Sequence, residues 1–168
     1  YDLITTMDKQ VGELLSELEA DGLAEDTIVF FFADHGLGVP RFKRTLYDSG
    51  LHVPLLVRVP GRHQKLAPLA PGGRTDRLVS FVDFAPTVLA LADVSIPEIM
   101  QGQAFLGPTP ASPREVIFGA ADRVDEAYET SRCVRDARYK YIRNFMPHLP
   151  YIQRSAYCDQ AEIMQELR

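Results

Sequence analysis

Two side chains that could bind a metal stand next to each other directly after an apolar run. Asp34 and His35 follow residues 27–33, and Gly36 comes next. Divalent cations accept a carboxylate and an imidazole as ligands, and glycine allows the backbone to turn sharply behind them. The same dipeptide could equally form a loop turn in which Asp34 caps a backbone N–H. The pattern therefore indicates a candidate metal site and leaves the structural alternative open.

Two further polar side chains could contact an anionic substrate. Lys43 lies in a loop-like stretch rich in glycine, proline and basic residues, and its ammonium is a compact positive charge suited to an oxyanion. A solvated surface lysine is the alternative reading. His52 precedes a short apolar run; it could contact substrate or form a hydrogen bond at the edge of the core.

The elements around these residues predict where they lie. Residues 27–33 are β-branched and aromatic without alternation, which predicts a strand buried on both faces in a parallel sheet. Open α/β sheets bind ligands beyond the carboxyl ends of such strands. Helical spacing predicts a helix over residues 2–22, and a second strand is expected over 53–59. Asp83 is expected to cap a helix that extends to about Ala92.

The second half of the chain has a different character. Three further strands and a last helix are predicted at residues 115–119, 131–135, 139–144 and 161–168. The strands at 131–135 and 139–144 are expected to form a half-exposed antiparallel hairpin. The chain is therefore predicted to be an α/β protein. Residues 1–110 are expected to form its layered α/β part, and 111–168 the start of a smaller antiparallel subdomain.

Composition narrows the class of protein. The chain has 168 residues, 46% of them hydrophobic, and a formal net charge of -5. That charge argues against nucleic acid as a partner, and no apolar run reaches the about 20 residues of a membrane span. Cys133 and Cys158 do not form a metal-type Cys-x-x-Cys pair. They are expected to be ordinary thiols, with a single disulfide as the alternative.

Two blocks of sequence, residues 26–36 and 43–58, together resemble the sulfatase family of the alkaline-phosphatase superfamily. The family pattern is an apolar strand, Asp-Asn/His-Gly, a basic residue, Leu-Tyr-acid-x-Gly and Val-Pro. This chain has Asp34-His35-Gly36, Lys43, Leu46-Tyr47-Asp48-Ser49-Gly50 and Val53-Pro54. Residues 80–87 and 135–142 are similar to later family segments. The basic loop 40–44 is most similar to that of the heparan N-sulfatase branch and its bacterial relatives.

The resemblance implies an alkaline-phosphatase-like sheet layered with helices, and it assigns roles to the candidate residues. Asp34 and His35 match the second pair of ligands to a divalent cation, usually calcium; the imidazole leaves zinc or manganese open. Lys43 matches the catalytic basic residue that contacts the sulfate group, where its charge would offset that of the transferring oxygens. His52 is a weaker candidate for substrate binding.

The implied activity is hydrolysis of sulfate esters or N-sulfate groups on a small molecule or glycan, in the periplasm or outside the cell. The family's nucleophile is formylglycine, made from the first residue of a Cys/Ser-x-Pro-x-Arg motif, and this chain has no such motif. We therefore expect the nucleophile and the first pair of metal ligands in a preceding segment, and an inactive chain without it.

Two alternatives remain open. A phosphatase or phosphonate monoester hydrolase of the same superfamily would share the Asp-His ligands. A non-catalytic module that binds sulfated glycans belongs to another class, and the net charge of -5 disfavours it. Comparing the turnover of sulfate esters with that of phosphate esters would distinguish the first alternative from a sulfatase. Glycan affinity without catalysis would identify the second alternative.

Overall fold

The computed structural model describes residues 2–150 and 153–167. In chain order the elements are α1 (Asp2–Ala20), β1 (Val29–Phe32), α2 (Asp48–Leu51), β2 (Leu55–Arg58), α3 (Phe84–Leu91), β3 (Ile117–Val124), β4 (Ala127–Arg135), β5 (Lys140–Asn144) and α4 (Glu162–Glu166). Short 3-10 turns occur at Gly61–Leu66, Phe81–Asp83 and Cys158–Gln160.

Contacts along the backbone divide the chain into two compact units. The first comprises Tyr1–Phe30, Leu56–Arg74 and Val82–Ala111, and the second comprises Phe31–Leu55, Thr75–Phe81 and Ser112–Arg168. The boundaries between the two units fall within β1 and within β2, whereas the sequence predicts a domain boundary after residue 110. It groups segments by contact and does not test the predicted domain boundary, which stays a prediction.

The N-terminal helix forms where its periodicity predicts. α1 ends at Ala20, and Gly22 follows with a φ of 70°, a left-handed conformation that glycine adopts without a steric penalty. The apolar side chains of α1 are mostly exposed, and none of its described residues is buried. The helix is therefore amphipathic, with an apolar face that the first unit leaves uncovered.

Strand β1 is shorter and more exposed than its composition predicts. It spans Val29–Phe32, none of its residues is fully buried, and Phe32 keeps 43% of its surface exposed. Among the described residues, β1 forms a two-stranded sheet with β2. A strand with one neighbour cannot bury both faces as a central strand does, so the expected double burial is not observed.

The first unit has a small aromatic core beside α3. The rings of Phe30, Phe84 and Phe105 lie 5.9–6.5 Å apart between centroids, a spacing typical of tilted aromatic pairs. Asp83 precedes α3 as expected, but its side chain does not make the predicted capping bond. Its carboxylate instead accepts the backbone N–H of Gln103 at 2.9 Å. The buried aspartate thus ties α3 to a later loop.

The second unit contains the antiparallel sheet β3–β4–β5. The predicted hairpin is confirmed as β4 and β5, but β4 begins at Ala127 because it also pairs along β3. Asp125, in the turn between β3 and β4, has a φ of 49°. The predicted last helix is observed as α4, and Arg168 lies outside the described residues.

The inner face of this sheet supports the loop that follows β1. A Cβ built on Gly119 of β3 would lie 3.2 Å from Leu51 and 3.4 Å from Leu46. Both leucines flank or belong to α2, so α2 packs directly against the sheet. Cys133 and Cys158 are both free thiols, so the disulfide alternative is not formed. None of the described helices is both long and apolar enough to cross a bilayer.

Candidate active site

The Asp34 and His35 side chains converge immediately after β1. His35 Nε2 lies 3.4 Å from an Asp34 carboxylate oxygen, and His35 Nδ1 lies 2.8 Å from the Gly36 carbonyl oxygen. A carbonyl can only accept a hydrogen bond, so Nδ1 is the ring nitrogen that carries a proton here, and Nε2 is the nitrogen that faces the carboxylate. Asp34 is 81% exposed. Fixing the tautomer through a backbone carbonyl is a common arrangement of histidine ligands.

These two residues fit a divalent cation as part of a ligand set. Carboxylate oxygen suits calcium, and imidazole nitrogen suits zinc or manganese. Among the described residues, no group of three or more histidines, cysteines, aspartates and glutamates lies close enough to hold a metal ion. That part of the chain therefore offers a converging pair of donors, and further ligands would have to come from elsewhere.

Gly36 directs the chain that follows the pair. Its N–H donates to the Gly50 carbonyl at 3.1 Å. A Cβ at this position would lie 1.9 Å from the Ser49 carbonyl oxygen, well inside van der Waals contact. Only glycine permits this approach of two backbone segments, which holds the Asp34–His35 pair against the end of α2.

The basic loop between Gly36 and α2 folds back on itself. The backbone N–H of Lys43 donates to the Leu37 carbonyl at 2.9 Å, so Lys43 returns to the segment that follows His35. Arg41 and Arg44 have left-handed φ angles of 67° and 70°. Such conformations are costly for residues other than glycine and persist only when the surroundings hold them.

Side-chain hydroxyls hold this strained loop. The Thr45 hydroxyl shares its one proton between two carbonyl oxygens, that of Arg41 at 3.1 Å and that of Phe42 at 2.9 Å. Ser49 Oγ donates a further short hydrogen bond to the Arg41 carbonyl. Local hydrogen bonds therefore hold the loop on the N-terminal side of Lys43.

The two consecutive cations of the loop lie over the same aromatic ring. The Lys43 ammonium lies 5.5 Å from the centre of the Tyr157 ring, and the Arg44 guanidinium lies 4.4 Å from the same centre. Arg44 also forms an ion pair with Asp125 in the turn between β3 and β4. Tyr157 precedes the Cys158–Gln160 turn and is 55% exposed.

Asp48, at the start of α2, is anchored by the sheet. Its carboxylate lies 2.6 Å from Lys140 Nζ and 3.2 Å from an Arg135 nitrogen. The hydrogen bond from Lys140 lowers the pKa of the Asp48 carboxyl, and the charges of Lys140 and Arg135 act in the same direction against the opposing effect of burial. Arg135 and Lys140 thus hold Asp48 in place as structural partners.

The predicted site residues are arranged as follows. Asp34 and His35 are neighbours in space as well as in sequence, and the backbone of Lys43 returns to Leu37 beside them. His52 ends α2 with an exposed side chain, and its N–H donates to the Asp48 carbonyl at 2.7 Å. The proposed roles in metal and sulfate binding stay predictions.

Sequence reasoning missed Tyr157, Asp125 and the role of Asp48. Asp48 stood inside the block that resembles the family, but no signal in the sequence indicated that Lys140 would be its partner. Tyr157 and Asp125 had no signal either, because each meets the basic loop across a long stretch of chain.

Comparison with known proteins gives consistent likenesses. A family model described as Sulfatase matches residues 1–94. An ulvan-active sulfatase of Formosa agariphila is 46% identical over 167 residues, which is 99% of this chain and 27% of that protein. Human arylsulfatase A is 32% identical over 155 residues, covering 83% of this chain and 29% of the relative. This chain spans 27–29% of the length of three ulvan-active sulfatases that it matches.

A solved structure is also similar. It is described as a complex with the protein's substrate, D-glucosamine-2-N,6-O-disulfate, and superposes with a TM-score of 0.63 at 26% sequence identity. The match covers 83% of this chain and 29% of that one. This likeness confirms the predicted fold class, α/β and alkaline-phosphatase-like. The assignment to the heparan N-sulfatase branch stays a prediction.

Proposed function

The chain belongs to the sulfatase family, and from that premise we propose that the protein containing it is a metal-dependent hydrolase of sulfate groups on a glycan. The observation that carries this proposal is the Lys43–Leu37 backbone hydrogen bond. It returns the basic loop to the Asp34–His35 pair, so one loop carries two metal-type donors and an ammonium.

Asp34 and His35 are proposed as two ligands of a divalent cation, with calcium preferred and zinc or manganese as alternatives. The cation would supply a fixed positive charge that polarises a sulfate oxygen. The tautomer of His35, set by the Gly36 carbonyl, leaves Nε2 free to donate its lone pair beside the Asp34 carboxylate. The remaining ligands and the formylglycine nucleophile are proposed to come from outside this chain.

Lys43 is proposed to bind the sulfate group and to stabilise its transferring oxygens. Negative charge on those oxygens favours a fixed cation that needs no reorganisation during the reaction. The strained, hydroxyl-supported loop provides that rigidity. His52 is proposed as a weaker substrate contact, because its exposed side chain ends α2 in the same unit.

A sulfated saccharide is the proposed substrate class. Support comes from relatives described as ulvan-active sulfatases and from a similar structure described with a disulfated glucosamine as its substrate. The protein is proposed to act in the periplasm or outside the cell, as the family resemblance implies.

Turnover by the full gene product that contains this chain tests the activity. We expect release of sulfate from sulfated saccharides and little phosphate from the matching phosphate esters. Lys43→Met should lower kcat/KM about 100-fold to 1,000-fold, the usual loss for one electrostatic contact to the transition state. Lys65→Met, which changes an exposed lysine, is the matched control.

Other results would redirect the proposal. Preferred release of phosphate would identify a phosphatase or phosphonate hydrolase, and glycan affinity without turnover would identify a binding module. Titration of the chain with Ca²⁺ or Zn²⁺, followed by NMR, tests the metal ligands independently of activity. Weak binding is expected from two donors, and Asp34→Asn should weaken it further; binding indifferent to Asp34 would remove that residue from the site.

A further inference from the structure

The neighbouring cations of the basic loop share the Tyr157 ring, but in the part of the chain that the structure describes only Arg44 also has a carboxylate partner. Arg44 forms an ion pair with the Asp125 carboxylate. Lys43 lies over the Tyr157 ring, and among the described residues no carboxylate lies within ion-pair distance of its ammonium. Both cations therefore lie over the same ring, with Arg44 nearer to it than Lys43, and the Asp125 carboxylate offsets the charge of Arg44 alone.

An aromatic partner suits a lysine that must bind an anion. The face of the ring attracts the ammonium through its quadrupole and restricts its position, but it does not cancel the positive charge. A carboxylate would restrict the position of the ammonium and also offset its charge. It would then compete with sulfate for the N–H donors of the ammonium. Lys43 thus keeps its charge and its donors while losing part of its rotational freedom.

The structure holds Tyr157 in place from the turn between β3 and β4. The Glu126 carboxylate in that turn accepts the backbone N–H of Ala156 at 2.6 Å. Buried Ser155 accepts the Cys158 N–H through its hydroxyl at 3.1 Å. Asp125 of the same turn holds Arg44, so one turn fixes both the basic loop and the segment that carries the ring.

From this geometry we propose that Tyr157 is a positioning residue for Lys43 and that the pair forms a sulfate-binding unit. The ring orients the ammonium and Arg44 stacks on it as a structural anchor. The inference rests on the proposed function, because it assigns the aromatic partner of the same sulfate-binding lysine.

Binding of inorganic sulfate to the chain, measured by NMR of the lysine side-chain nitrogens, is the test. Lys43→Met should abolish saturable binding at this site. Tyr157→Leu removes the π face but keeps apolar bulk, and should weaken sulfate binding about 3-fold to 10-fold, within the range of a cation–π contact. Tyr157→Phe keeps the ring and should bind within about twofold of the unsubstituted chain.

A readout that needs no sulfate accompanies the titration. Tyr157→Leu should remove the ring-current shift of the Lys43 side-chain signals, and Tyr157→Phe should preserve it. Thermal unfolding of each variant identifies a loss of fold. Equal affinities for the leucine and phenylalanine variants, or an unchanged Lys43 shift in the leucine variant, would overturn the role of Tyr157.

Failure of sulfate binding by Lys43 and failure of the positioning role of Tyr157 give different results. If Lys43→Met leaves sulfate binding intact, or the unsubstituted chain shows no saturable binding, the sulfate-binding unit is wrong in this chain; sulfatase turnover by the full gene product would still decide the proposed activity. If Lys43 is required but the Tyr157 variants are alike, the proposed function stands and only the positioning role is lost.

Discussion

Lys140 Nζ lies 2.6 Å from an Asp48 carboxylate oxygen and 2.9 Å from the Leu46 carbonyl oxygen. One ammonium on strand β5 therefore binds both the first residue of α2 and the residue two positions before it. The Lys140 side chain is only 11% exposed, so these two oxygens replace water as partners of its ammonium. The small sheet thereby holds the end of the loop that carries Lys43.

Asp48→Asn should destabilise the chain by about 1–2 kcal/mol, because it leaves the nearly buried Lys140 ammonium without its carboxylate. The value lies below that for fully buried pairs since Asp48 is 47% exposed. Urea unfolding measures the change. Asp76→Asn, at an exposed position, is the control, and equal effects of the two substitutions would contradict the anchor.

The Asp48 contribution should depend on pH. The hydrogen bond from Lys140 lowers the folded-state pKa of Asp48 below an unfolded value of about 3.9. Its stabilisation is therefore complete above that unfolded pKa and is lost as pH falls through the lowered folded pKa. The stability gap between the unsubstituted chain and Asp48→Asn should be full at neutral pH and shrink below about pH 4; a gap that widens on acidification would refute the assignment.

Gly36→Ala should be strongly destabilising. The added Cβ would meet the Ser49 carbonyl oxygen at 1.9 Å, and backbone atoms cannot move away as a flexible side chain can. A loss of about 2–3 kcal/mol is expected. Gly38→Ala adds the same methyl with no neighbour within 4 Å, and should change stability by less than about 0.5 kcal/mol. Comparable losses at both glycines would indicate a helix or loop propensity effect instead.

Glu129→Gln should stabilise the chain at neutral pH, by no more than about 1 kcal/mol. Burial raises the pKa of the Glu129 carboxyl, although a hydrogen bond with Ser131 opposes the shift. Ionising this group in the folded state costs stability as pH rises from the unfolded pKa of about 4.3 through the raised folded value. Urea unfolding should show the gain at pH 7 and little at pH 4, with exposed Glu115→Gln as the control. A loss at pH 7 would mean that the carboxylate has a favourable partner.

The local elements could be predicted because their signals are local. The periodicity of residues 2–22 and the β-branched run before Asp34 reflect which backbone conformation each residue favours and which face it can bury. α1 and β1 form there accordingly. Element ends were less accurate: β4 starts at Ala127 because its partner strand β3 extends the pairing, which no residue within β4 specifies.

The sequence by itself determined the family, the strand that ends at Asp34-His35-Gly36, and the basic loop with Lys43, since short blocks of residues carry each of these. Only the tertiary structure decided that Lys140 binds Asp48, that Asp125 neutralises Arg44 and that Tyr157 lies under Lys43. These contacts join residues that lie far apart in the chain. Packing brings them together, and no periodic pattern in the sequence predicts such contacts.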